Sequence, residues 1–299
     1  MAASLTVVIA VNPMASFGHR AEVGPRVIER VRAEGHTVVD MREANIELLR
    51  RETRRALEAG ADALVVVGGD GMVNLGVNLV AQTGTPLGIV PSGTGNDVAD
   101  GLGIPVGDTE AAIDLLLDAL QSPPRVIDAG VVRHGGLSTW FCGVVSAGFD
   151  ATVNERANRM TWPRGRSRYI VALLRELATL RPIPYEVVAD GVPLETKALL
   201  ISVANNRSLG GGMRIVPHAV LDDGMLDLFV VSAMSRLHFL RVFPRVFSGT
   251  HTDLPQVSFR AVKTVSLNAP GVIAYADGER IGPLPVEISV VPGALRMLA

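Results

Sequence analysis

Cysteine and lysine are nearly missing from this sequence, and it holds no apolar run long enough to cross a bilayer. Its single cysteine, Cys142, excludes an intramolecular disulfide and is typical of a reducing compartment. Cys142 lies in the apolar stretch TWFCGVV, so we interpret it as a buried thiol rather than as a nucleophile. A membrane-spanning helix needs about 20 apolar residues, and no stretch of the sequence approaches that length.

The scarcity of lysine excludes one class of nucleotide site. Only two of the 28 basic residues are lysines, Lys197 and Lys263, and neither follows a glycine-rich loop. A P-loop requires the pattern GxxxxGK[ST], which does not occur. The formal net charge of −2 gives no overall attraction to nucleic acids, so we expect no nucleic-acid partner. No basic segment precedes the N-terminal apolar run, which argues against a signal peptide and favours a cytoplasmic protein.

Strand-like and helical patterns alternate over residues 1–128. Strand candidates lie at 6–11, 36–41, 63–68 and 86–91, and each is followed by a helical pattern, at 22–34, 46–60, 72–80 and 109–120. Asp108 is the expected N-cap of the last helix, with Thr109 as the alternative. Such an alternation predicts a domain built on an open parallel α/β sheet.

The pattern changes near the turn-prone stretch SPPR at 122–125. Residues 129–299 contain strand-like segments separated by Gly, Pro and Asp, with one clear helix at 167–180. This pattern predicts a second domain that is β-rich and mainly antiparallel. The sequence leaves open whether the last strand returns to the first domain.

Two glycine-rich turns follow apolar strands of the first domain, GGDGMVN at 68–74 and PSGTGND at 91–97. Ligands of open parallel sheets lie at the carboxyl ends of the strands, where both turns belong. Glycine there lets backbone N–H groups approach a phosphate, and the following helix adds its partial positive charge. We therefore predict a nucleotide site, with ordinary strand–helix turns as the alternative. A Rossmann site is disfavoured because no GxGxxG opens the first unit.

Polar side chains of these turns are candidate contacts. Asp70 is expected to hold a Mg²⁺–phosphate unit or to bond a ribose hydroxyl, and Ser92, Thr94 and Asn96 offer neutral hydrogen-bond partners. The first turn, NPMASFGHR, contributes Asn12 and Gly18 as further candidates.

The order of these motifs resembles a known family. GGDG followed by Asn74, then a strand and SGTGND, and later a DDG and a DGE, is similar to the diacylglycerol kinase catalytic domain superfamily. Within it, the chain most resembles the soluble bacterial lipid kinases that are related to sphingosine kinases. The likeness runs from Asn12-Pro13 to Asp277-Gly278-Glu279. GGDG alone is shared with NAD kinases and 6-phosphofructokinases, so the two loops together make the match specific.

The resemblance implies an α/β nucleotide-binding domain followed by a β-rich domain, with the active site in the cleft between them. It implies ATP and Mg²⁺ as cofactors. The resemblance and the two turns together predict a cofactor-binding set of Asn12, Gly68, Gly69, Asp70, Gly71, Met72, Asn74, Gly93, Thr94, Asn96 and Asp97.

Catalytic and metal-binding residues also follow from the resemblance. Its DGE segment makes Glu279 and Asp277 the catalytic pair, and Glu279 is the expected base because its side chain reaches further. An exposed Asp-Gly hairpin turn is the alternative. The family's Mg²⁺ site resembles VLDDGML, with Asp223 as side-chain ligand and the carbonyls of Val220 and Met225 as backbone ligands.

The function implied is ATP-dependent phosphorylation of a diacylglycerol-like lipid to phosphatidic acid or a related lipid phosphate. The alternatives are an NAD kinase-like enzyme and a catalytically weak nucleotide- or lipid-binding regulator. Met72 replaces the family's threonine after GGDG, which favours the regulator.

Several segments outside these motifs have two interpretations each. Two apolar segments with arginines, 167–180 and 237–247, are either core or a peripheral membrane contact. The glycines at 210–212 indicate either a mobile segment near the ligands or a plain surface loop. A homodimer through an exposed edge strand is a further expectation.

Overall fold

The computed structural model describes residues 4–12, 22–160, 162 and 166–299. The chain divides into two compact units. The first contains the chain up to Ala129 together with Pro292–Ala299, and the second contains Gly130–Val291. Residues Pro292–Ala299 therefore return to the first unit, a point that the sequence left open.

The first unit is built on a parallel sheet of strands β1 (Thr6–Val11), β2 (Thr37–Arg42), β3 (Ala63–Gly68) and β4 (Leu87–Pro91). These strands lie in the order β2-β1-β3-β4, and every pair is parallel. The C-terminal end of β15 (Val286–Leu298) adds to β4 in parallel through Met297 and Leu298. Strands β3 and β4 are buried along their whole length because helices cover both faces of such a sheet, which explains their apolar sequences.

Five helices of the described residues belong to this unit: α1 (Val23–Ala33), α2 (Ile46–Glu58), α3 (Asp70–Val80), α4 (Asp97–Leu102) and α5 (Thr109–Leu120). The side chain of Asp108 accepts a hydrogen bond from the N–H of Ala111, so Asp108 rather than Thr109 caps α5, as predicted. Helix α4 was not predicted, since six residues are too few to show an apolar period.

The second unit is built on antiparallel strands. They are β5 (Arg125–His134), which begins in the first unit, β6 (Leu137–Phe141), β7 (Val144–Gly148), β8 (Ile183–Ala189), β9 (Val192–Ala204), β10 (Leu226–Ser232), β11 (Val257–Val262), β12 (Thr264–Asn268), β13 (Ile273–Ala276), β14 (Glu279–Pro283) and the first half of β15. The order β14-β13-β7-β9-β8-β12-β15 forms the main path, and β10 joins β9 to β11. Strand β14 ends this path, so β13 is its partner there.

Helices cover part of the second unit: α6 (Phe149–Arg159), α7 (Arg166–Thr179), α8 (Arg236–Val242) and α9 (Arg245–Ser248). The prediction of a single helix was wrong, because only α7 was expected. In α6 the sequence FDATVNERANR is mostly polar, and in α8–α9 Pro244 interrupts the apolar period. Aromatic packing joins these helices, since the rings of Phe149 and Phe239 lie 5.2 Å apart, edge to face.

No helix among the described residues combines the length and the apolar character that crossing a membrane requires.

Candidate active site

The two glycine-rich turns lie side by side at one edge of the parallel sheet. Gly68 pairs with Pro91 at the carboxyl ends of β3 and β4, and the N–H of Ser92 donates to the carbonyl of Gly68 at 2.9 Å. A Cβ atom on Gly93 would lie only 2.3 Å from the Cα of Gly69. The two backbones therefore touch, which requires glycine at these positions.

Asp70 joins the two turns. Its two carboxylate oxygens accept hydrogen bonds from the N–H of Asn96 at 2.9 Å and from the N–H of Asp97 at 2.8 Å. These N–H groups open helix α4, where a negative charge is favourable. A Cβ atom on Gly95 would lie 2.4 Å from the Asp70 carboxylate, so Gly95 is needed for this approach, and the sequence analysis missed it. The predicted contact of Asp70 with metal or ribose stays a prediction; its observed bonds hold the second turn.

Asn96 shapes the second turn. It has a positive φ of 62°, which asparagine tolerates better than most residues. Its Oδ1 accepts from the N–H of Gly93 at 3.0 Å, and its Nδ2 donates to the carbonyl of Gly93 at 3.1 Å. Thr94 is exposed at the tip of the closed turn. The side chain of Asn96 is thus engaged within the turn, whereas that of Thr94 faces outward.

The start of α3 is open to an anion. Gly69 is its N-cap and no side chain caps it, while Gly71 in the first turn is exposed. The helix therefore presents N–H groups and its partial positive charge beside the turns. Met72 is only 3% exposed, and its side chain packs beside Gly68. The position where the family has a threonine is therefore filled by a core side chain.

Two buried polar atoms at this edge fit a bound ligand. Nδ2 of Asn74 and Oγ of Ser92 find no hydrogen-bond partner among the described residues, although Asn74 is 4% and Ser92 6% exposed. Such unpaired buried atoms are costly unless another group completes them. Asn12 follows β1 directly, beside the end of β3. Gly18 lies outside the described residues.

In the second unit, the DGE segment forms the turn between β13 and β14. Asp277 and Gly278 both have positive φ, 49° and 83°. The carboxylate of Asp277 accepts from three successive backbone N–H groups, those of Cys142 at 3.1 Å, Gly143 at 3.0 Å and Val144 at 2.8 Å. These residues connect β6 to β7. Asp277 therefore fixes the turn, while Glu279 stands exposed at the start of β14.

Helix α6 contacts the same hairpin through a glutamate that the sequence analysis missed. Oε2 of Glu155 accepts from the hydroxyl of Tyr275 and from Nε of Arg280, the latter at 3.3 Å. Oε1 accepts from Arg159 at 2.6 Å. The Tyr275 hydroxyl and the two arginines hold the pKa of Glu155 below its usual range. The only signal in the sequence was a charged residue in a segment that showed no helical period.

A second carboxylate of α6 was also missed. Asp150 accepts from the hydroxyl of Ser202 at 3.2 Å and from the N–H of Ala151 at 2.9 Å. Burial raises the pKa of Asp150 to about 6, against these hydrogen bonds, which lower it. Its position directly after the apolar strand β7, in SAGFD, was the available signal.

The DDG segment holds the predicted metal-binding residues. Oδ1 of Asp223 accepts from the N–H of Met225 at 3.0 Å, and Val220 is exposed. Burial raises the pKa of neighbouring Asp227, and the charge of Asp223 raises it further against the effect of His218. Carboxylates are ligands that suit a hard cation. The described residues contain no cluster of three or more metal-ligating side chains, and the predicted set of Asp223, Val220 and Met225 stays a prediction.

The segment with three glycines is a closed turn in the structure. Leu209 and Met213 pair across it, and the N–H of Arg214 donates to the carbonyl of Val246 in α9 at 2.9 Å. All three glycines have positive φ, which explains why glycine is used there.

Comparisons with known proteins agree with this arrangement of motifs. The model of the diacylglycerol kinase catalytic domain matches residues 6–130, and that of the YegS C-terminal NAD kinase beta sandwich-like domain matches residues 143–299. A diacylglycerol kinase of Mycobacterium tuberculosis is 41% identical over 289 residues, which cover 96% of this chain and 93% of that protein. The chain belongs to the diacylglycerol kinase family.

Two further similar proteins have lower identity to this chain. A diacylglycerol kinase of Bacillus subtilis is 29% identical over 230 residues, covering 76% of this chain and 74% of its own length. The crystal structure of a diacylglycerol kinase from Bacillus anthracis has a TM-score of 0.73 at 21% identity, covering 99% of this chain and 96% of that one. The predicted superfamily, the prediction of a kinase, and the fold class of a parallel α/β part followed by an antiparallel β-rich part are confirmed.

We expect Asp70→Asn to loosen the two turns of this kinase. An amide would place its NH₂ group against one of the two N–H groups from which the carboxylate now accepts a hydrogen bond. This should lower the free energy of unfolding by about 1–3 kcal/mol. Nucleotide affinity, measured by calorimetry, should fall with it. Asp108→Asn is the matched control, since asparagine caps a helix as well as aspartate does. Unchanged urea denaturation and nucleotide binding in Asp70→Asn would contradict the joining role.

We expect Asp150→Asn to change how stability depends on pH. The folded pKa of Asp150 lies above its unfolded value of about 3.9, so its favourable contribution is complete below about pH 4 and is lost as pH rises through about 6. Asp150→Asn, which stays neutral, should match the wild type at pH 4 and exceed it by about 1–3 kcal/mol at pH 8. Denaturation at both pH values measures this.

Asp190→Asn provides a control of opposite sign. Backbone N–H groups of Thr264 and Lys263 lower the pKa of Asp190, so this variant should lose stability at pH 8. The same response in both variants would show that the effect of Asp150 is not electrostatic.

Proposed function

We propose that this chain transfers the γ-phosphate of ATP to the hydroxyl of a diacylglycerol-like lipid, giving phosphatidic acid or a related lipid phosphate. The observation that carries the proposal is the DGE turn. Its aspartate is committed to three backbone N–H groups, so its glutamate, Glu279, remains as an exposed carboxylate on a fixed backbone. The names of the relatives support the acceptor.

Residues of the first unit suit the nucleotide. ATP, when bound, supplies the phosphoryl group that the acceptor hydroxyl attacks. The open N-terminus of α3 and the exposed Gly71 would bind phosphate oxygens, and Thr94 at the tip of the second turn adds a hydroxyl. The unpaired Nδ2 of Asn74 would donate a hydrogen bond to the nucleotide, and the unpaired Oγ of Ser92 would donate or accept one. This edge therefore binds phosphate without a lysine.

Glu279 suits the role of general base. Phosphoryl transfer to an alcohol needs a carboxylate that accepts the hydroxyl proton as the oxygen attacks. Asp277 cannot move toward an acceptor without breaking its three hydrogen bonds, whereas the Glu279 side chain is exposed. We therefore assign proton abstraction to Glu279 and positioning of the turn to Asp277.

Mg²⁺ is the metal ion that we propose for the DDG segment. Asp223 would supply a carboxylate, and Val220 and Met225 would supply backbone carbonyls. The repulsion between Asp223 and Asp227 that contributes to the raised pKa of Asp227 would be relieved by a bound cation.

The two alternatives make different predictions. An NAD kinase would phosphorylate NAD, and a regulator would bind nucleotide without turnover on any acceptor. The identity of 41% to a diacylglycerol kinase over nearly the whole chain favours a lipid kinase over both.

We expect Glu279→Gln to abolish phosphate transfer while nucleotide binding and folding are kept. The test is incubation of the protein with labelled ATP, Mg²⁺ and a panel of lipids that includes diacylglycerol, with NAD as a separate acceptor. Loss of a general base typically costs about 10²–10⁴ in rate. Glu287→Gln, an exposed glutamate on β15, is the control. Transfer to NAD alone, or full activity of Glu279→Gln, would contradict the proposal.

We also propose that α8 and α9 contact an anionic membrane surface. Leu237, Leu240 and Phe247 are 80%, 44% and 52% exposed, although all three are apolar. The chain from residue 228 to 252 contains no Asp or Glu and three arginines; Arg236 and Arg241 are exposed on α8, and Arg245 pairs with Asp253 just beyond this range. Exposed apolar side chains with basic residues beside them suit a surface of negatively charged lipids.

We expect the combined variant Leu237→Ser, Leu240→Ser and Phe247→Ser to bind vesicles of phosphatidylcholine and phosphatidylglycerol about tenfold less in sedimentation, because the buried apolar area is lost. Leu137→Ser on β6, where leucine is 74% exposed, is the matched control. Binding of the wild type should also fall with added salt. Equal losses in both variants, or no loss, would contradict the membrane surface.

A further inference from the structure

The DGE hairpin joins the sheet on one side, through the pairing of β13 with β7. Strand β14 lies at the end of the main path of the sheet, and its ladder with β13 shifts register between Ala274 and Tyr275, just before the turn. A bulge of this kind interrupts the hydrogen bonds that would hold a short hairpin rigid. Glu279 is the first residue of this edge strand, two residues beyond Asp277, so contacts on the β14 side of the turn also bear on the position of its backbone.

Helix α6 provides contacts at that point. Tyr275 and Arg280 are opposite one another across the hairpin, and both donate to the same oxygen of Glu155. Asp277 holds the turn at its tip, whereas Glu155 holds the pair of residues that flank it on either strand. The hairpin is thus attached at two separate places.

The contacts of Glu155 lie on the side of the hairpin away from the proposed base. Ala276 and Glu279 form the neighbouring cross-strand pair, and successive side chains of a strand point to opposite faces. Tyr275 and Arg280 therefore share one face, and Glu279 projects from the other. Glu155 acts on the base through the backbone and does not touch the acceptor.

Helix α6 is itself well anchored. Arg156 pairs with Glu176 of α7, and Phe149 packs on Phe239 of α8. The Glu155 side chain is only 17% exposed and Tyr275 is buried, so the bond between them is shielded from water, whereas Arg280 is 51% exposed. Glu155 also pairs with Arg159 four residues on, which is a local contact within α6. The contacts to the hairpin join residues 120 and 125 positions apart, so they attach α6 to a distant part of the chain.

We propose that Glu155 is a positioning residue that holds the Tyr275–Arg280 pair and thereby sets the placement of Glu279 for phosphoryl transfer. The inference rests on the proposed function, since it takes Glu279 as the base. A misplacement of a catalytic group by about 1 Å can cost about 100-fold in rate. We therefore expect the loss of Glu155 to lower kcat.

The test compares Glu155→Ala and Glu155→Gln with the wild type in the lipid assay. Glu155→Ala should lower kcat about 10- to 100-fold and leave the KM for ATP unchanged, because the nucleotide turns belong to the first unit. Glu155→Gln should recover part of the rate, since its amide oxygen still accepts from Tyr275. Glu52→Gln is the control, a partly buried glutamate that pairs with arginines of its own helix α2 and should keep full activity.

Amide hydrogen exchange over residues 273–283 provides a second readout that needs no activity. Exchange of this hairpin should be faster in Glu155→Ala than in the wild type and unchanged in Glu52→Gln. If the hairpin exchanges as in the wild type, or if it exchanges faster with no change in kcat, the proposal is wrong. Should Glu155→Ala fail to fold, Arg280→Gln removes one of the same bonds and takes its place in both measurements.

These outcomes separate the inference from the proposed function. Absence of transfer to every lipid by the wild type, or full activity of Glu279→Gln, would overturn the proposed function. The exchange measurement would then still show whether Glu155 holds the hairpin. A rise in the KM for ATP with unchanged kcat would overturn the positioning role alone.

Discussion

Carboxylates that accept backbone N–H groups hold both segments that we propose as functional in this kinase. Asp70 binds two N–H groups of the second glycine turn, and Asp277 binds three of the connection between β6 and β7. Hydrogen bonds to a charged group contribute about 1.5–3 kcal/mol each, more than neutral ones. Each aspartate thus organises a stretch of chain that has few regular backbone hydrogen bonds of its own.

Glycine makes these bonds sterically feasible. At Gly69 and Gly93 the backbones of two turns touch, and at Gly95 a side chain would occupy the position of the Asp70 carboxylate. The same residues that permit this contact leave the N-terminus of α3 uncovered by side chains. Close backbone packing and an open anion site therefore have one common cause.

The two carboxylates of DGE differ in side-chain length and therefore in what they contact. The short side chain of Asp277 turns back to its own backbone neighbours, while the longer Glu279 extends from the strand. With Asp277 at the tip and Glu155 at the flanks, the hairpin keeps its shape despite its position at the sheet edge. Helix α6 links this hairpin to α8 through Phe149 and Phe239, so the proposed base and the proposed membrane surface are parts of one packed unit.

Local patterns of the sequence predicted the parallel strands, α5 with its Asp108 cap, and the adjacency of the two glycine turns. These features depend on residues near one another in the chain or on the general rule that parallel strands end at one edge. The resemblance to a family supplied Glu279 and Asp277 as a pair, and the longer reach of its side chain made Glu279 the expected base.

The remaining features were decided by tertiary structure. The bonds of Asp70 join residues 26 and 27 positions apart, those of Asp277 about 134, and those of Glu155 to the hairpin 120 and 125. A single sequence contains no signal for such pairs, because an aspartate or glutamate that binds a metal ion cannot be told by residue type from one that binds backbone N–H groups. Helix α6 was missed for a related reason, since its mostly polar sequence becomes a helix through packing on the second unit. The sequence by itself determined which chemical groups this kinase has and which strands present them. Only the folded chain decided which of those groups are engaged in structure and which remain for a ligand.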